Sequence, residues 1–343
     1  MNSFSVIGIT DEKWPEIIAQ SNQFDFYHTQ AYQSLEKGGD PLLFVACFGT
    51  SFLALPLILR KISQTDFKDC TSAYGYCGPV SNLDFKEVPP ELFDYFRSEL
   101  NRYFKEQNIV TAFSRLHPII IGDELFANFG TIRNNNKTVA IDLGLPPEEQ
   151  VKQYRRSVKS EINQLRGKKG YKVIEANSEQ DIKAFIAIHQ QTMNRVNARK
   201  NYFFEYDYFY NFLNSKCFAS KLLLAIKDGE MVAGAIFTIT DKIMQYHLAG
   251  TKDEYIPDAP MKLILDEARL IGNQSGLKYL HLGGSVGEND DDPLFRFKAG
   301  FSDIRFKSRV WQYIVDEEKY GDLNKFFKPD VEKSGNYFPF YRS

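Results

Sequence analysis

Three stretches of the sequence gather residues that could do chemistry. HLGGSVGENDDDPLFRFKAGFS, residues 281–302, runs from the pair Gly283 and Gly284 through an acidic stretch into Arg296 and Lys298, set among phenylalanines. Glycine allows a close approach to the main chain that side chains block, so a substrate can pass at that pair. VKQYRRSVKSEINQLRGKKGYKV, residues 151–173, carries Lys152, Arg155, Arg156, Lys159, Arg166, Lys168 and Lys169 against the one acid Glu161. Such a cluster suits a phosphate-bearing substrate; the alternative is a solvated helix face. Arg195 closes the run DIKAFIAIHQQTMNR, and Tyr202 opens the aromatic stretch after it, whose rings suit either a groove wall or plain core.

These groups need elements to hold them. Val151, Tyr154, Val158, Ile162 and Leu165 recur at three-and-four spacing, which predicts one continuous helix with the cations on its other faces. In the next helix Ile182, Phe185, Ile186, His189 and Met193 share a side, which makes His189 a buried, hydrogen-bonded core histidine rather than a ligand. Pro293 fits the first turn of a short helix that aims Phe295, Arg296, Phe297 and Lys298. Asp291 and Asp292 stand close enough to serve as a base, although capping that helix suits them better.

The hydrophobic pattern repeats. LLFVACFGTSFLALPLIL from Leu42 aligns without a gap on LLLAIKDGEMVAGAIFTI from Leu222, with Gly49 on Gly229. Each copy reads as strand, glycine turn, strand. In both halves a further strand, a helix and a last strand follow: near Tyr74, Glu91–Phe104 and Val110–Leu116, then Ile243–Ala249, Pro260–Ile271 and Lys278–Leu282. The expected fold is therefore α/β (α+β), two related units each with a mixed sheet flanked by helices. The breakers Gly144, Pro146 and Pro147 put the boundary between a first lobe, residues 1–145, and a second, residues 146–343.

Composition narrows the class. With 343 residues, a formal net charge of −2 and 43% hydrophobic residues, the chain has room for two cores and no global charge for nucleic acid. Cys47, Cys70, Cys77 and Cys217 lack metal-ligand spacing and disulfide density, so no metal and a reducing, cytoplasmic location are expected. The N-terminus has no signal-peptide pattern. Leu42–Leu59 is uncharged over 18 residues, but Gly49, Thr50 and Ser51 at its centre make it two buried strands rather than a membrane span. The aromatic tail FFKPDVEKSGNYFPFYRS suits packing onto a lobe, with peripheral contact at the inner membrane face left open.

In this order, DFYHTQAYQSL (25–35), ALPLILRK, SAYGYCGPV (72–80), the basic helix into RGKKGYKV and LFRFKAGFS resemble the FemAB-like branch of the GNAT acyltransferase superfamily, over most of the chain. The resemblance implies two GNAT-like lobes with a substrate channel between them, and transfer of an acyl or aminoacyl group to an amine of a cell-envelope precursor bearing phosphate. It implies no bound cofactor, and aminoacyl-tRNA or acyl-CoA as donor co-substrate. Other readings are a CoA-dependent N-acyltransferase of a nucleotide-linked amino sugar and a non-catalytic binding module. TKDEYIPDAPMKLIL departs from CoA-using GNAT enzymes, since it lacks their Arg/Gln-x-x-Gly-x-Gly/Ala turn, which weighs against CoA.

Aminolysis needs positive charge where the tetrahedral oxygen forms. The FKxGF context makes Lys298 the candidate for that cation; the alternative is a surface lysine between packing rings. Arg155, Arg156, Lys159, Arg195, Arg296, Tyr202, His247 of MQYHLAG, Gly283 and Gly284 are assigned to substrate contacts. Tyr74 and Tyr76 of YGYCGP line the channel from the first lobe, or simply end a strand.

Overall fold

Gly49 and Gly229 both take the positive φ of a tight hairpin turn, 63° and 84°, and the strands on either side of each pair antiparallel. The structure is a computed structural model describing residues 2–176, 178–284, 292–328 and 337–343. In chain order it begins β1 (Asn2–Gly8), α1 (Lys13–Ala19), α2 (Gln30–Gln33), β2 (Asp40–Phe48), β3 (Ser51–Lys61), β4 (Lys68–Thr71), β5 (Val80–Ser81), α3 (Pro90–Glu106), β6 (Ile109–Leu116) and β7 (Thr131–Asp142). There follow α4 (Pro147–Lys152), α5 (Arg156–Gly167), β8 (Lys172–Glu175), α6 (Glu179–Arg195), α7 (Tyr206–Leu213), β9 (Ala219–Lys227), β10 (Glu230–Thr240) and β11 (Ile243–Thr251). The remainder is α8 (Met261–Gln274), β12 (Tyr279–Gly283), α9 (Pro293–Lys298), β13 (Arg305–Ile314) and α10 (Glu317–Phe327).

The chain divides into two units, residues 1–135 with 307–343, and residues 136–306. The first unit's sheet runs β1-β2-β3-β4-β6-β13, and the second's runs β8-β9-β10-β11-β12 and then the later part of β7. Each has three antiparallel pairings, one parallel pairing reached through a helix, and one antiparallel closing strand. The repeated order of elements is therefore present, with β4 in place of a strand at Tyr74. The uncharged Leu42–Leu59 lies in the β2–β3 hairpin, and no helix among the described residues is long and apolar enough to cross a membrane.

The expected division differs in two places. Val139–Asp142 pairs with β12, which draws the end of β7 into the second unit. The tail, expected in the second lobe, folds with the first because Arg309–Ile314 pairs with β6 and Tyr341 packs beside Ile62, Val110 and Leu323. Asp69, fully buried, fastens that tail: it accepts from Arg60 Nε at 2.8 Å, from the Tyr341 hydroxyl at 3.1 Å and from Arg342 Nε. Removing one partner of a buried ionic cluster leaves uncompensated charge. Asp69→Ala is therefore expected to lower unfolding stability by about 3–5 kcal/mol, measured by urea denaturation, and an unchanged midpoint would refute the clasp.

In the second unit, α5 and α8 cover one face of the sheet through Val158, Ile162, Leu165, Leu263, Ile264 and Ala268. On the other face α6 lies so close to the strands that a Cβ on Gly250 would meet the Ile188 carbonyl oxygen at 2.9 Å. The single basic helix expected over residues 151–165 is instead two, α4 and α5, interrupted at Gln153–Arg155. Tertiary bonds outweigh the periodicity there. The Arg155 N–H donates to Gly300 O at 2.8 Å, and the Tyr154 hydroxyl donates to the buried Asp266 at 3.0 Å. His189 is buried as expected, but its Nδ1 has no hydrogen-bond partner among the described residues, because the rings of Phe185, Phe204 and Phe209 surround it.

Candidate active site in the second unit

Two adjacent parallel strands of the second unit stay paired only briefly. β11 and β12 are in register from Ile243–Tyr279 to Gln245–His281, after which β11 continues to Thr251 without a β12 partner. A strand edge released from pairing offers its N–H and C=O groups to a ligand. At this level β11 also holds one residue more than its other neighbour: Phe237 faces Tyr246 and Ile236 faces Leu248, so His247 occupies a bulge. β12 ends at Gly283, whose φ of 75° suits glycine, and Gly284 follows.

Lys298 reaches this place from α9. Asp292 caps that helix by accepting the Phe295 N–H at 2.9 Å, Pro293 occupies its first turn, and Phe295 and Lys298 turn inward while Arg296 stays exposed. Gly300 lets the helix end press against α5, since a Cβ there would meet Val158 Cγ2 at 2.9 Å. Lys298 is only 7% exposed, so it is no surface lysine. It donates to Gly284 O at 2.7 Å and lies 5.8 Å from the centre of the Tyr246 ring. Burial lowers its pKa to about 8, while the Asp292 carboxylate pulls the other way. The site thus holds a dehydrated cation by one carbonyl and one aromatic face, with N–H capacity left for a developing oxyanion.

The Gly284 carbonyl depends on the absence of a side chain. A Cβ there would meet Lys137 O at 2.8 Å and the Asn136 amide at 3.2 Å. Gly284→Ala is expected to shift that carbonyl and cut turnover by about tenfold or more, by analogy with small misplacements of catalytic groups. A variant with normal turnover would show that Lys298 does not need this acceptor.

Arg155 joins the same neighbourhood, donating from Nη1 to Arg296 O at 3.0 Å. Arg156 is exposed in the first turn of α5, a helix start that no side chain caps, and Lys159 donates to Lys152 O at 3.1 Å. Arg195 is held elsewhere: it pairs with Asp253 and donates to Thr251 O at 3.1 Å, so its charge is spent on closing the end of α6. Tyr202 sits half-buried in a single 3-10 turn. In the first unit, Tyr74 is exposed, with its main chain braced by Glu36 and the Tyr32 hydroxyl, and Tyr76 lies edge-on to Tyr27. Asp292 is a cap, and Asp291 lies outside the described residues, as do residues 288–290 of the acidic stretch. Tyr246 escaped sequence reasoning, because a lone tyrosine in an apolar strand carries no sign of the lysine above it.

The start of α8 is closed by its own chain. Lys262 and Leu263 N–H groups donate back to Ala259 and Pro260 carbonyls at 3.0 Å each, and Lys262 Nζ is paired with Glu161. Ahead of it Asp253 is paired with Arg195 and Asp258 with Lys169, and Glu254 lies in the same 3-10 helix. Among the described residues no group of three or more His, Cys, Asp or Glu could hold a metal ion.

Residues 152–298, which include the paired and parting strands and end on Lys298, match the family described as Acetyltransferase (GNAT) domain. The fold is similar to that of FemX, with a TM-score of 0.72 at 12% identity over 92% of this chain and 99% of that one. It is also similar to a C-terminal domain assigned to a lysylphosphatidylglycerol synthetase of Agrobacterium fabrum (TM-score 0.58, 13% identity, 90% and 92% covered). A tandem GNAT protein from the clavulanic acid biosynthesis pathway gives a TM-score of 0.52 at 9% identity, with 92% and 99% covered. No curated protein matches the sequence. Residues 152–298 therefore match a GNAT acetyltransferase domain, and the fold of the chain is similar to that of a tandem GNAT protein.

Proposed function

We propose that this tandem GNAT chain transfers an aminoacyl group from an activated ester, in the manner of aminoacyl-tRNA, to an amine of a phosphate-bearing cell-envelope precursor. The observation that carries the reading is the buried Lys298 ammonium beside the parting of β11 and β12. When an amine attacks an ester carbonyl, the carbonyl oxygen becomes an anion, and a cation already stripped of water is worth more to it than one in solvent. Lys298 supplies that charge, and the open edge of β11 holds the extended donor by its main chain.

The start of α8 supports an ester donor over coenzyme A. A coenzyme A pyrophosphate needs free amides and no nearby carboxylates. Two of those amides are already used and Lys262 is neutralised by Glu161. An ester donor makes no such demand. For the acceptor, Arg155, which donates to Arg296 O, and the exposed Arg156 and Arg296 offer cations that suit a phosphate. The FemAB-like resemblance and the likeness to a lysylphosphatidylglycerol synthetase domain, whose name joins lysine to a lipid, support an envelope acceptor.

The test is transfer of radiolabel from aminoacyl-tRNA and, separately, from acyl-CoA to envelope precursors with free amines. Label from aminoacyl-tRNA is expected. Label from acyl-CoA alone would move the reading to an N-acyltransferase of amino sugars. Salt-sensitive binding without transfer from either would make the chain a binding module.

A further inference from the structure

We infer that Gln153, Tyr154 and Arg155, the three residues at the interruption between α4 and α5, form a bracket that positions Lys298; this rests on the acyl-transfer reading above. A helix of six residues is too short to hold its own conformation, so the place of the Lys298 ammonium is set by what grips α9 from outside. The last carbonyls of such a helix also lack partners within it.

Arg155 supplies that grip twice. It donates from Nη1 to Arg296 O at 3.0 Å and from its main-chain N–H to Gly300 O at 2.8 Å, so one residue holds the chain two positions before and two positions after Lys298. A cation is also the side chain that the C-terminal end of a helix favours. Its two neighbours extend the hold. The Tyr154 ring meets Phe301 edge-on with centroids 5.1 Å apart, and Gln153 Oε1 accepts from the Ser302 hydroxyl at 2.9 Å. The bracket is anchored in turn, because the buried Asp266 that accepts from the Tyr154 hydroxyl is paired with Arg166 and Arg269.

This arrangement accounts for the break in the basic helix. In an unbroken helix, successive side chains point about 100° apart, and three neighbours could not all face the segment from Arg296 to Ser302. The Arg155 N–H would also turn back into its own helix instead of reaching Gly300 O. Arg155 keeps further N–H donors for a phosphate, but its loss is felt first in where α9 sets the ammonium. Gln153 carries no charge and has no such second use.

The experiment measures transfer from radiolabelled aminoacyl-tRNA to a nucleotide-linked envelope precursor with a free amine. It compares the wild type, Arg155→Ala, Arg155→Lys and Gln153→Ala, and places both alanine changes in the Lys298→Met background as well. Arg155→Ala is expected to lower kcat by about tenfold, the scale of a small misplacement of a catalytic group, with acceptor KM little changed. Arg155→Lys retains a donor and recovers part of the rate, and Gln153→Ala loses kcat in the same manner. With methionine at position 298 there is no ammonium left to place, so neither alanine change costs further activity; a loss that came from weakened folding would be undiminished there. A rise in acceptor KM at constant kcat makes Arg155 a phosphate contact alone, and a full tenfold loss in the Lys298→Met background shows that it does not act through Lys298. Either result overturns the inference and leaves the acyl-transfer reading standing. A wild type that transfers label from neither aminoacyl-tRNA nor acyl-CoA overturns both.

Discussion

Lys298→Met is expected to lower kcat/KM for acyl transfer by about 10²–10³-fold, the cost of removing one preorganised donor to an oxyanion, and to leave the fold intact. Methionine nearly matches the lysine side chain in length and suits the apolar surroundings of Phe295 and Tyr246, so the loss is of charge rather than of packing. The pH profile identifies the group. Burial holds the ammonium at a pKa of about 8, so the charge is mostly present at neutral pH and disappears as pH rises through that value. Wild-type turnover is expected to fall above pH 8 for that reason, and the fall is absent in the residual activity of Lys298→Met. Lys298→Arg is not expected to restore the rate, because a forked guanidinium is too large to replace a point donor held by the Gly284 carbonyl. A methionine variant with wild-type turnover would remove Lys298 from the mechanism.

How Lys298 comes to lie there was only partly legible in the sequence. The helix that carries it could be read, since proline, a capping aspartate and the alternation of rings and cations are local signals and α9 follows them. So could the doubled hairpin, because Gly49 and Gly229 mark turns that only a positive φ closes. What escaped depends on partners distant in sequence. The break before α5 is made by Gly300, some 145 residues on, and the helical periodicity through Tyr154 ignores it. β13 returns to β6 across the whole second unit, and its apolar residues would suit either sheet equally well. The bulge at His247 is a matter of register with β10, which no pattern within MQYHLAG records. Charge was the least dependable guide. Of the clustered cations, Arg166 and Lys169 are occupied by Asp266, Glu267 and Asp258, whereas the lysine that faces the strands stands among phenylalanines and was marked only by family-like context.

Acidification from pH 7 towards pH 4 is expected to destabilise both units well before the carboxylates titrate. His28 in the first unit and His189 in the second are buried, and each has its pKa lowered to about 4. For His28 the main cause is burial, followed by His117, whose ring centre is 6.1 Å away, while Asp25 opposes both. For His189 burial among three phenylalanine rings is the cause. The unfolded chain takes up these protons near pH 6.5 and the folded chain refuses them until about pH 4, so the unfolded state binds more protons throughout that interval. Stability is fully present above the upper value and falls as pH drops through the window, by about 3 kcal/mol for each histidine. Asp258, held below the ordinary carboxylate range by hydrogen bonds from Lys169 and Tyr171, adds its loss only at lower pH, so the two contributions separate along the axis. Urea denaturation at pH 7.5, 5.5 and 4.5 measures the effect. His189→Leu keeps an apolar side chain among the phenylalanines and has nothing to protonate, so it should flatten the pH dependence of the second unit while leaving that of the first. If the midpoint of the wild type does not move between pH 7 and 5, or if the leucine variant loses stability as steeply as the wild type, these rings are protonated in the folded chain and their burial exacts no cost.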